Sequence, residues 1–129
     1  LKGQHLDVGL VVGENSPGIS KREVDAYIAP FPSPAFCAGP ASWPMLAPLT
    51  KKFAAFDEMQ LSREFLGTWK KPCLLIFSEE GSVDALRELI PGCTEPPVIM
   101  PGAGHFLQEP RGTDIGRHVA DFIERESFV

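Results

Sequence analysis

Apolar positions fall into two regimes along the chain. In the first, Leu6, Val8, Leu10, Val11 and Val12 lead into Gly13-Glu14-Asn15. That spacing suits either a short helix or a single apolar helical turn. Ser16-Pro17-Gly18 breaks it. Ser20-Lys21-Arg22-Glu23 then has the form of a capping box, in which a hydroxyl caps a free N–H and the Glu reaches back. It predicts a short helix through about Tyr27. Ala29-Pro30-Phe31-Pro32-Ser33-Pro34 is expected to be extended, because residues before proline avoid the α region. Residues 35–49 read as a helix kinked or restarted at Trp43-Pro44. Over residues 50–67, Phe53, Phe56, Met59, Leu61, Phe65 and Leu66 recur at the spacing of an amphipathic helix. Lys70-Lys71-Pro72 ends the helical region.

The second regime is different. Cys73-Leu74-Leu75-Ile76-Phe77 is a continuous apolar run between a proline and a polar turn. Such a run predicts a strand buried on both faces of a parallel sheet. Residues 84–90 read as a short helix closed by Pro91-Gly92. Pro97-Val98-Ile99-Met100 reads as a second short strand. Residues 112–126 form a last helix with Ile115, Val119, Phe122 and Ile123 on one face. Strand–helix–strand–helix order defines an α/β arrangement. Two short strands shield neither their faces nor their edges, so the pattern predicts the C-terminal portion of a larger sheet.

Composition narrows the function classes. The 129 residues carry a net charge of −5. With the two signs interspersed, no electrostatic footprint for nucleic acid or an anionic membrane surface is present. No apolar run approaches the roughly 20 residues of a membrane span, and no signal-peptide pattern opens the chain. Cys37, Cys73 and Cys93 are odd in number and lack metal-ligand spacing. They read as reduced, partly buried thiols of a cytoplasmic protein. The sequence opens at Leu1 without an initiator Met, as a processed or partial sequence does.

Chemistry concentrates in Ala103-Gly104-His105-Phe106-Leu107-Gln108-Glu109. His105 stands a few residues past a strand end, where catalytic groups collect in open α/β sheets. Small residues before it let the chain turn tightly, and neutral imidazole is the natural base for activating water near pH 7. His5 and His118 have no such context, and Trp69 reads as structural. No G-x-S-x-G nucleophile elbow occurs in the chain.

Further segments extend the pattern: Asp25-Ala26-Tyr27-Ile28-Ala29-Pro30-Phe31-Pro32, Ala38-Gly39, Trp43-Pro44, Trp69-Lys70-Lys71-Pro72, Phe77-Ser78, Ile90-Pro91-Gly92 and Gly102 through Glu109. In this order and spacing the chain resembles the C-terminal part of a haloalkane dehalogenase, a branch of the α/β-hydrolase superfamily. The resemblance implies residues 1–68 as the latter helices of a cap, and residues 69–129 as two parallel strands with flanking helices of the core. It implies a hydrolase that forms an alkyl ester on an Asp and frees the alcohol with a His-activated water, without metal or organic cofactor. His105 matches the general base. The family's acid column falls on Gly81, in a shortened loop. Glu80 is the candidate acid by a one-residue shift, and Glu79 is second. Trp43, Pro44 and Phe106 match the wall of a cavity for a small apolar halogenated substrate. The N-terminal half of the fold, with the nucleophile, is missing from these residues, so the chain alone is expected to be inactive. Two alternatives stand beside this reading. One is an epoxide hydrolase-like enzyme, which needs cap tyrosines where only Tyr27 is present. The other is a non-catalytic remnant that completes another chain's sheet.

Overall fold

The computed structural model describes residues 6–79 and 83–126. Among these residues six α-helices and two strands run in the order α1 (Val8–Asn15), α2 (Lys21–Ile28), α3 (Ala38–Leu46), α4 (Phe56–Leu66), β1 (Ile76–Phe77), α5 (Val83–Leu89), β2 (Val98–Ile99) and α6 (Gln108–Glu126). A 3₁₀ turn at Pro34–Cys37 leads into α3.

The N-terminal ambiguity resolves as helix. Asp7 caps α1 by accepting from the Leu10 N–H at 2.9 Å. Ser20 and Glu23 form both halves of the expected capping box at the start of α2. The Ser20 hydroxyl and backbone N–H hold the Glu23 carboxyl below the usual glutamate range. α1 and α2 pack as a hairpin around the Ser16–Gly18 turn. Gly9 makes the packing close, since a Cβ there would lie 2.7 Å from Ile28 Cδ1.

The segment after α2 departs from expectation at both ends: Pro34 opens the 3₁₀ turn instead of staying extended, and the first residue is not extended either. Ala29 is helical (φ −51°, ψ −37°) although Pro30 follows it. Its N–H donates to Asp25 O, and Phe31 N–H donates to Ile28 O at 2.8 Å. Two backbone bonds thus outweigh the pre-proline preference, which disfavours the α region without forbidding it. Ser33, before Pro34, is extended as expected (φ −154°, ψ 164°).

The sheet is parallel, with Ile76 opposite Val98 and Phe77 opposite Ile99. Each strand is shorter than its apolar run, and neither is buried on both faces: Ile76 and Phe77 are half-buried, and Ile99 is exposed. A strand needs neighbours on both edges and layers on both faces to bury such a run, and among the described residues each has one partner. The ladder is extended outward by Val98 N–H to Leu75 O and Met100 N–H to Phe77 O. α6 starts four residues before its expected first turn. It presents Ile115 and Phe122 half-buried and leaves Ile123 more than half exposed.

The core collects under the β1–β2 pair and the α1–α2 turn: Val12, Cys37, Ile90, Cys93, Met100 and Ala103 are buried. Elsewhere large apolar side chains face outward, among them Trp43, Leu46, Leu49, Leu61 and Phe65. The amphipathic stripe of α4 is present, but none of its residues is buried.

One junction is packed more tightly than the rest. Gly92 N–H donates to Trp69 O at 2.8 Å, and Cys73 N–H donates to Gly92 O at 3.1 Å. A Cβ on Gly92 would stand 1.9 Å from the Lys71 carbonyl oxygen. Backbone cannot step aside as a side-chain tip can. Gly92→Ala is therefore expected to destabilise the chain by about 3 kcal/mol or more, read as a lower urea midpoint. Gly13→Ala, where a Cβ meets open space, is the matched control with little loss.

Candidate functional site

His105 is carried on the turn that leaves β2. Gly102 (φ 68°) and Gly104 (φ 72°) both take the left-handed conformation, which glycine reaches without a Cβ penalty. Between them Ala103 is 1% exposed and anchors the turn in the core. The turn is seated on the far end of α1. Phe106 N–H donates to Asn15 O at 2.9 Å, directly after the histidine. Gly104 lies so close that a Cβ would meet Pro17 Cδ at 2.4 Å and Asn15 O at 2.7 Å. Ser16, at the same corner, is fully buried.

His105 itself is exposed, and its ring rests against Phe106 with centroids 5.2 Å apart at 57°. Among the described residues neither imidazole nitrogen has a hydrogen-bond partner. Glu79, just beyond β1, is likewise exposed and unpaired with His105. Glu80 and the Gly81 column lie outside the described residues, as does His5. Trp43 and Pro44 stand exposed on α3, with Pro44 inside the helix as expected. Trp43 is 70% exposed and forms no closed wall with Phe106. The structure therefore joins Phe106 to His105 and leaves Glu79, Trp43 and Pro44 apart from it. Trp69 makes an edge-on contact with Phe65 at 5.8 Å, in keeping with a structural part.

A second tie to this region was not foreseen. The Tyr27 hydroxyl of α2 donates to Glu109 Oε1, in the first turn of α6, at 2.5 Å. This bond links the Y-x-A-P-F-P segment to the histidine segment. Both residues lie within the dehalogenase-like segments, but their partnership is a long-range contact that no local pattern carries. The carboxylate hydrogen bond pushes the Tyr27 phenol above its usual value, with smaller contributions from burial and Glu109's charge. A groove of about 440 Å³ lies elsewhere, bounded by Met100, Arg111, Arg117 and His118. His105 is not part of its lining. No group of three or more metal-ligating side chains occurs among the described residues. No described helix is long and apolar enough to cross a membrane.

No protein-family model matches the chain. It is, however, similar to curated haloalkane dehalogenases. It is 31% identical over 111 residues to one from Psychrobacter cryohalolentis, a match covering 81% of this chain and 37% of that enzyme. It is 33% identical over 106 residues to one from Mycolicibacterium paratuberculosis, covering 78% of this chain and 35% of the relative. With one from Mycobacterium marinum the identity is 34% over 98 residues, 72% of this chain and 33% of that enzyme. The chain is thus related to the haloalkane dehalogenases over most of its own length, and it spans about a third of theirs.

Two predictions test the seat. Gly104→Ala is expected to cost about 3 kcal/mol, from left-handed strain plus collision with the Asn15–Pro17 corner. Gly102→Ala, with the same φ but open space around it, is expected to cost only about 1 kcal/mol; chemical denaturation of the two variants separates the contributions. Tyr27 is the only tyrosine in the sequence, so ultraviolet titration reads it directly. Its midpoint is expected above 10 in the native chain and to fall toward the ordinary value in Glu109→Gln. Because the folded value is raised, the bond's stabilisation is complete below the unfolded pKa and is lost as pH rises through the folded one.

Proposed function

We propose that this chain is the C-terminal part of a haloalkane dehalogenase-type α/β-hydrolase, with residues 1–68 contributing latter cap helices and residues 69–129 the last two strands and helices of the core. The observation that supports the reading is the seated turn after β2, which carries an exposed His105 just past a strand end. The sequence relationship to haloalkane dehalogenases supports the same conclusion. So do the outward-facing apolar side chains of α3 and α4, which suit surfaces covered by the rest of a larger fold.

In this reading a carboxylate nucleophile, carried by a part of the fold outside these residues, attacks the carbon bearing the halogen. The carbon–halogen bond breaks, the halide leaves with the bonding pair, and an alkyl ester forms. His105 takes a proton from water, the water oxygen attacks the ester carbonyl, the ester C–O bond breaks, and the leaving oxygen takes a proton from the imidazolium to depart as the alcohol, restoring the carboxylate. Glu80, or failing it Glu79, would orient the imidazole and stabilise its protonated form. Trp43, Pro44 and Phe106 would supply apolar wall for a small halogenated substrate, and the indole N–H a donor toward halide. The route needs neither metal nor organic cofactor.

The epoxide hydrolase alternative loses support from one contact. Tyr27, the one tyrosine in these residues that could protonate an epoxide oxygen, donates to Glu109. The remnant reading draws on the Gly81 departure and the shortened loop around it.

The test is a chimera in which this chain replaces the matching third of the Psychrobacter cryohalolentis enzyme. The isolated 129 residues are expected to release no halide, and the chimera to turn over. His105→Ala in the chimera is expected to cut steady turnover by about 10²- to 10⁴-fold. It should still release halide in a single stoichiometric burst, because ester formation precedes the base's step. Turnover that is indifferent to His105 would sink the proposal. A folded chimera that never releases halide would favour the remnant.

A further inference from the structure

Two cysteines that the proposed reaction does not use meet at the Gly92 junction. Cys73 begins the extended segment leading into β1, and Cys93 follows the Pro91-Gly92 turn after α5. Both thiols are free. The Cys73 N–H bond to Gly92 O, at 3.1 Å, fixes their main chains relative to each other. The Cα of Cys73 is one bond from the donor nitrogen, and the Cα of Cys93 lies across one trans peptide from the acceptor oxygen. Standard bond lengths then cap the Cα–Cα separation at about 7 Å, and the bends at the nitrogen and oxygen bring it within the range that disulfides span. The junction is also stiff, since Gly92 is bonded to Trp69 O and packed onto the Lys71 carbonyl.

We propose that Cys73 and Cys93 form a thiol–disulfide exchange site, closed to an intramolecular disulfide by small-molecule disulfides of the glutathione class. The roles divide by exposure. Cys73 is half-buried and reachable, whereas Cys93 is 7% exposed. Burial, with the adjoining Cys73 thiol, pushes the Cys93 thiol up to about 11, so it is the poorer first nucleophile. Cys73 thiolate attacks one sulfur of the oxidant, breaks its S–S bond and expels one reduced thiol. The Cys93 sulfur, losing its proton to solvent, then attacks Cys73 Sγ and expels the second. Two protein thiols are oxidised and one small-molecule disulfide is reduced to two thiols. The closed bridge would fasten β1 to the turn after α5 and enclose the loop that carries Glu79 and Glu80. Cys37 is buried on the 3₁₀ turn between α2 and α3 and takes no part.

The full chain is incubated without denaturant in glutathione buffers of increasing oxidised fraction, acid-quenched, alkylated in denaturant and mapped with trypsin. The enzyme cuts after Arg87, between the two cysteines, so a bridge joins two peptides that are otherwise separate. The expected product has lost the mass of two hydrogens, carries one alkylated cysteine at Cys37, and melts several degrees higher than the reduced chain. Cys37→Ser should retain the bridge. Cys73→Ser and Cys93→Ser should each abolish it, with Cys93→Ser arrested as a glutathione adduct on Cys73. The proposal is overturned if the wild-type chain stops at that adduct, if linkage involves Cys37, or if both thiols stay reduced through the most oxidising buffer. None of these readouts depends on hydrolase activity.

Discussion

A single backbone hydrogen bond, from Phe106 N–H to Asn15 O at 2.9 Å, joins the two regimes of the chain at the residue after its candidate base. The rest of the site arrangement follows from it. For the bond to form, the turn after β2 must come within van der Waals reach of the α1 corner. That approach is open only to a glycine at position 104, in a left-handed conformation and without a Cβ. Ala103 must then point inward, and His105, two residues on, points out. Tyr27 and Glu109 add a side-chain tie across the same interface. The histidine's placement is thus a consequence of main-chain geometry, which does not depend on which cavity residues surround it.

Much of this was legible in the residues. The capping box at Ser20–Glu23, the helix over Phe56–Leu66 within the 50–67 stretch, and the parallel order of β1 and β2 all follow from local patterns. Local pattern failed where neighbours decide. Cys73–Phe77 reads as a doubly covered strand, and its apolar content is real, but a run of that kind can be buried only by strands and helices on every side. The pre-proline rule at Ala29 failed for the opposite reason, because two short backbone bonds held the residue helical. The candidate site was legible as a base with an uncertain acid. The structure places Phe106 beside that base and leaves Glu79 apart from it. The contacts that seat it, Asn15 with Phe106 and Tyr27 with Glu109, join residues far apart in sequence, and no spacing rule reports such pairs.

The distribution of burial bears on both the site and the thiols. Where the chain is dense, at the Gly92 junction and the Asn15–Pro17 corner, backbone meets backbone and single methyl groups do not fit. Where it is open, along α3 and α4, large apolar side chains face outward. Two tight nodes in an open frame fix the β1–β2 pair and the histidine turn while leaving helix faces uncovered. An added Cβ is felt at the nodes and not along the faces.

The tie between Tyr27 and Glu109 closes 82 residues of chain, and the bond from Phe106 to Asn15 closes a span of similar length. Contacts of this separation carry a large loop-closure entropy that local helices do not. The contacts within α1 and α2 close short loops, whereas the seat of His105 closes long ones. On the native side of unfolding, the histidine turn, packed onto the Asn15–Pro17 corner, is expected to be lost together with that corner rather than by local fraying.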